Sequence, residues 1–246
     1  METNMKKAVI GLMLVVGFAG VLYAEEEASG IGVDLTVDFN SKYVWRGQNL
    51  VDDWVMQPGA STTIGGFTLG VWGNVDMTNE NGEEWEFTEV DYYVDYSGDL
   101  AEGIGYSIGY IYYEFPQAGG DTQEVYAGMS FDTFLSPSVT WYYDFDAVDG
   151  SYVAFGLGHS VEVSDGLALD LGMNLGWGDS SYNSAYWGVD DDGFNDLTLS
   201  VGLPIELGSW TLTPSVNYVN LIDSDISDAA DDDDIVYAGI GLSTSF

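Results

Sequence analysis

The sequence predicts an all-β fold: a transmembrane, antiparallel, up-and-down β-barrel of about 12 strands, preceded by a cleavable signal peptide. Three observations predict it. Apolar and polar residues alternate with period two over long stretches, aromatic residues sit at the ends of the apolar faces, and tight glycine turns alternate with longer acidic connections. Successive side chains of a strand point to opposite faces, so each stretch has one oily side and one wet side.

The leader comes first. Lys6-Lys7 precede an apolar or small-residue run from Ala8 to Gly20, and Leu22-Tyr23-Ala24 then meets Glu25-Glu26-Glu27. This layout predicts a secretory signal peptide over residues 1–24, leaving a barrel domain over 25–246. The competing reading is a retained N-terminal anchor, because the apolar run approaches a spanning length. Without cysteine there is neither a disulfide framework nor a lipoprotein anchor. The chain carries 41 Asp and Glu against four Lys and Arg, a formal charge of -37. That balance excludes nucleic acid as a partner. Acidic chains with few aromatics stay disordered, but here aromatic residues make up 15%.

The first strand reads VDLTVDFNSKYVW from Val33. Val33, Leu35, Val37, Phe39, Ser41, Tyr43 and Trp45 share one face; Asp34, Thr36, Asp38, Asn40, Lys42, Val44 and Arg46 share the other. A tilted strand crosses a bilayer with about 9–11 residues, so this stretch is long enough. Residues 55–64 form the weakest strand, with Pro58 and several small polar residues. Stretches 67–77, 88–96, 104–115, 123–131, 137–145 and 152–163 alternate less cleanly. The pattern is clearest at Leu167, Leu169, Leu171, Met173, Leu175 and Trp177, and again over 197–207; 210–221 and 235–246 complete the set.

A soluble β-sandwich also alternates. Against it stand the polar, glycine-rich second faces and the aromatic residues expected at membrane interfaces: Tyr43, Trp45, Trp177, Trp210, Tyr218 and Phe246. Gly65-Gly66, Ser164-Asp165-Gly166 and Gly208-Ser209 read as short turns, whereas 78–84, 179–195 and 222–234 read as long loops. A closed barrel keeps such a backbone satisfied in lipid. Both termini are then expected in the periplasm of a Gram-negative outer membrane.

Strand parity assigns an inner wall. It carries Asp34, Asp38, Asp76, Glu89, Asp91, Asp95, Glu124, Asp144, Asp170 and Glu206, with Lys42 and Arg46 near the external mouth. The two cations are expected either as structural ion pairs with these carboxylates or as half of a charge-separated constriction. The arginine fork suits both roles.

SKYVWRG (41–47) resembles the SDYVFRG-type motif of the TorF-like family of porins, long catalogued as conserved hypothetical proteins. GVWGNVD (70–76), EVDYYVDYSG (89–98), IGYSIGYIYYEFP (104–116) and EVYAGMSFDTFLSPSVTWYYDFD (124–146) follow in a similar order. Lys42 departs from the acidic residue of that motif. The resemblance implies an outer-membrane barrel with a pore-like role, and supplies neither a substrate nor catalytic residues. The final Phe246 resembles the sorting signal that barrel-assembly machinery reads.

The leading expectation is therefore a channel for small hydrophilic solutes, cation-selective because carboxylates line it. Its partners are outer-membrane lipid and lipopolysaccharide, with no cofactor. An outer-membrane enzyme is the second class, but His159 takes the lipid-facing parity and Ser160 the inner one, which separates a nucleophile from its base. The third is a plugged or surface-display barrel whose acidic stretches, 190–193 and 223–234, bind divalent cations; they lack the spacing of a calcium loop.

Overall fold

A computed structural model describes residues 32–80 and 84–246. The expected leader, 1–24, lies outside them. In chain order the strands are β1 (Gly32–Asn40), β2 (Tyr43–Trp45), β3 (Gln48–Val51), β4 (Val55–Ile64), β5 (Phe67–Asp76), β6 (Glu86–Ala101), β7 (Ile104–Glu114) and β8 (Thr122–Phe131). Then come β9 (Ser138–Asp144), β10 (Gly150–Ser164), β11 (Leu167–Gly178), β12 (Gly193–Gly202), β13 (Ile205–Leu207), β14 (Trp210–Leu221) and β15 (Asp234–Ser245). Each pairs antiparallel with its neighbour, and β1 pairs with both β4 and β15. The sheet therefore closes on itself with no open edge. Strands β12 and β13 act as one stave against β14. Pro204 breaks it, having no N–H for the ladder, while Leu203 N still donates to Pro214 O at 3.0 Å. The wall thus has 12 staves. The short hairpin β2–β3 stands outside it as a separate two-stranded sheet.

One end of the barrel carries the short connections 65–66, 102–103, 132–137, 165–166 and 208–209. There Val33 N donates to Phe246 O at 3.1 Å, tying the last residue to the first strand. The other end carries the connections 41–54, 115–121, 145–149, 179–192 and 222–233 and the described residues between β5 and β6. Two of these hold helices, α1 (Ser180–Trp187) and α2 (Ser224–Ala229). Their acidic residues do local work. Asp179 accepts from Tyr182 N at 2.8 Å as the N-cap of α1, and Asp223 caps α2 in the same way. Asp190 accepts from Ser184 Oγ at 2.7 Å and Asp233 from Ser227 Oγ at 3.2 Å, each clasping its helix to the return strand. Among the described residues no three His, Asp or Glu side chains converge as a metal site.

The outer surface is apolar. Phe67, Leu69, Ile108, Val216, Val236 and Ile240 are each 52–60% exposed. Large side chains left bare around a closed wall form the lipid-facing belt of a barrel. No helix among the described residues is long and apolar enough to cross a membrane.

The first strand differs from expectation. Its ladder ends at Asn40, where Ser41 N donates to Ala238 O at 2.9 Å and Ala238 N returns a bond to Ser41 Oγ at 3.0 Å. Tyr43 and Trp45 do not continue it. They belong to the hairpin, which folds over the end of the barrel.

Candidate functional site at the loop end

The hairpin turns on Arg46 and Gly47, both with positive φ (46° and 86°), between the paired residues Trp45 and Gln48. Positive φ at both central residues is the geometry of the tight hairpin turn whose twist suits its strands. Gly47 is required twice over. A Cβ there would sit 2.9 Å from both Asp196 Cβ on β12 and Leu221 Cδ2 on β14. Thus the tip, anchored between β1 and β4, meets staves two and three places round the wall from β1, while the Arg46 fork reaches across to Glu124 on β8.

Arg46 is locked at that tip. Nη1 donates to Glu124 Oε1 and Nη2 to Glu124 Oε2, each at 2.7 Å, and Tyr113 Oη donates to Oε2 at 2.8 Å. The arginine side chain is 9% exposed and the glutamate 2%. Aromatic rings close around the guanidinium: Tyr142 at 4.3 Å, Trp45 at 4.4 Å and Tyr152 at 4.8 Å from its central carbon. Each such contact is worth about 2 kcal/mol when desolvated. Burial works against the charge, but Glu124 outweighs it and holds the Arg46 pKa well above its usual value. A second tether joins Tyr43 Oη to Glu89 Oε2 at 2.8 Å. Burial first, and then the Glu89 charge, push the Tyr43 hydroxyl far above its ordinary pKa.

Helix α1 completes the ceiling. Tyr182 is fully buried against Tyr152 and Tyr186, and the Tyr186 ring lies 5.4 Å from that of Trp45. Gly176 leaves room for the Tyr152 hydroxyl, which a Cβ would meet at 2.0 Å; that hydroxyl donates to Asp196 Oδ1 at 2.8 Å.

The structure brings together some of the residues singled out from sequence and separates others. Glu89 and Glu124 lie below the hairpin, held by Tyr43 and Arg46, and Asp91 shares the Glu89 face of β6. Asp76 and Asp144 hold the rim: Asp76 accepts from Asn74 Nδ2 at 3.0 Å, and Asp144 from Thr122 Oγ1 at 2.7 Å and from the backbone of 146–148. Asp95 accepts from Tyr126 Oη at 2.8 Å, midway down. Asp34, Asp170 and Glu206 lie toward the turn end, bonded to Ser245, Ser160 and Thr211. Asp38 sits on the same inner register, opposite Gly241. Lys42 is not on the inner wall. It pairs with Asp52 across the base of the hairpin and stays partly exposed. Tyr43 and Trp45 are not girdle residues either, because the hairpin carries them inward. Trp177, Trp210, Tyr218 and Phe246 do lie on the outside. His159 is also outside, with its ring 4.3 Å from that of Phe134.

Sequence reading passed over Tyr113, Tyr142, Tyr152, Tyr182, Tyr186 and Asp196. The first three carried a usable signal: bulky rings on a parity otherwise filled by Gly, Ser and Thr.

Residues 24–243 match the family described as "Bacterial protein of unknown function (Gcw_chp)". The chain belongs to the Gcw_chp family. No curated protein matches it in sequence. Its fold is similar to that of the NanC porin, with a TM-score of 0.57 at 12% identity over 86% of this chain and 98% of that one. The KdgM porin gives 0.54 at 12% identity over 87% and 99%. KdgM has also been solved in complex with disordered oligogalacturonate, at a TM-score of 0.53 and 13% identity over 87% and 99%. This Gcw_chp barrel thus shares its wall with porins while its ceiling is built from its own hairpin and helix.

Proposed function

We propose that the protein is an outer-membrane channel for small hydrophilic solutes, neutral or cationic, with its mouth narrowed by the Arg46 hairpin. One observation carries the reading: a closed 12-stave wall whose inner register combines carboxylates with glycine, serine and threonine. Toward the turn end, Ser97, Gly105, Ser107, Gly128, Ser130, Ser138 and Thr140 line an open cavity of about 430 Å³. No packed core fills it. The porin likeness of the fold and the TorF-like motif support the same assignment. Arg46 is committed to Glu124 and Lys42 lies outside the wall, so among the described residues no cation is left on the inner wall to attract an anion. An acidic polysaccharide such as the oligogalacturonate bound by KdgM would meet carboxylates here. Reversal potentials in planar bilayers test the reading. A preference for cations supports it, and an anion preference contradicts it.

The ceiling favours a second reading, a plugged barrel. The hairpin and α1 bury Tyr43, Tyr152 and Tyr182 across the lumen. Arg46→Ala separates the two. A channel conducts with Arg46 in place, whereas a plugged barrel conducts only after the latch is removed.

A further inference from the structure

Beside the cage that holds Arg46 lies a cavity of about 110 Å³ lined by Trp45, Gln48, Glu89, Tyr113, Phe115 and Tyr186. The two are built alike. The Arg46 cage consists of aromatic faces and the Glu124 carboxylate, with Trp45 and Tyr113 contributing to it. The neighbouring cavity consists of Trp45, Tyr113, Phe115 and Tyr186 around the Glu89 carboxylate. Trp45 is the shared partition, its ring 6.3 Å from Tyr113 and 5.4 Å from Tyr186. The Arg46 cage encloses a cation that the chain itself supplies.

Local charge points the same way. Glu89 and Asp91 lie two residues apart on one face of β6, and Glu89 Oε2 accepts from Tyr43 Oη at 2.8 Å. Arg46 is bidentate on Glu124. Buried Asp91 Oδ1 and buried Gln48 Nε2 have no hydrogen-bond partner. Like-charged carboxylates on one face of a partly desolvated wall favour a counter-cation nearby. Aromatic walls select the kind of cation. They favour a weakly hydrated organic ammonium, which is attracted to ring faces, over an inorganic ion that needs oxygen ligands.

We infer that this cavity is a binding site for a small organic ammonium ion, seated against the aromatic wall of Trp45, Tyr113, Phe115 and Tyr186 with its charge toward Glu89. The site deepens the channel reading by naming the solute class, and its transport meaning rests on that reading. Binding itself does not.

The test is titration of the full-length protein in detergent with tetramethylammonium chloride, followed by tryptophan fluorescence. Sodium chloride and uncharged tert-butanol are run in parallel. Saturable change with tetramethylammonium alone is expected. Affinity should fall about tenfold in Glu89→Gln and in Tyr186→Leu, equivalent to about 1.4 kcal/mol. Tyr186 lies on α1, outside the wall, so that variant leaves barrel closure intact. Equal response to tert-butanol, no saturation, or unchanged affinity in both variants overturns the inference. Conductance is recorded on the same preparations. Binding without conductance keeps the site and removes the channel, while conductance without binding does the reverse.

Discussion

Arg46 does at one position what the rest of the chain cannot. It supplies a buried positive charge, and its planar fork fits both a carboxylate and the rings that sandwich it. Removing one partner of a buried ion pair costs about 3–5 kcal/mol, because the other charge is left uncompensated. Arg46→Ala should therefore release the hairpin, read as faster proteolysis within 41–54 and a larger unitary conductance. Arg46→Lys should fall between, keeping the charge but losing the bidentate geometry; a lysine variant indistinguishable from wild type would mean that geometry is irrelevant. Gly47→Val should resemble Arg46→Ala, since its Cβ would collide with Asp196 on β12 and Leu221 on β14.

At the scale of elements, the wall and the hairpin fold for different reasons. Staves are fixed by period-two patterning and by lipid. Ile108→Arg on β7, outward-facing and 60% exposed, should lower barrel stability by about 2–4 kcal/mol. Denaturant unfolding of the reconstituted protein would show it, and no change would place that face away from lipid. The hairpin pairs with itself through its own backbone, and side-chain contacts hold it across the mouth. Replacing 43–51 with a glycine–serine linker should leave the barrel folded and open its mouth. The twelve staves were legible because each repeats one rule many times. The 13-residue first strand was misread because its alternation continues past Asn40 by coincidence, from wall to hairpin. Nothing in period two distinguishes a residue facing lipid from one facing a tyrosine. The partners of Arg46 were only half legible: Glu124 followed from parity, but contact between residues 78 positions apart depends on where the turn aims the fork.

Over the whole molecule, charge is distributed by level. Rim carboxylates bind backbone and side-chain donors, loop carboxylates cap α1 and α2, and those at mid-depth and below face the lumen. On the proposed channel reading, the inner wall presents negative charge beneath a ceiling that contains Arg46. A narrow passage so lined should concentrate cations and exclude anions, and its selectivity should weaken as salt screens the wall. The most direct measurement is the reversal potential of the wild-type protein in a planar bilayer under a potassium chloride gradient. The account predicts a potential on the potassium side, shrinking as both solutions are made more concentrated. A potential on the chloride side, or no conductance from a folded barrel, would contradict it.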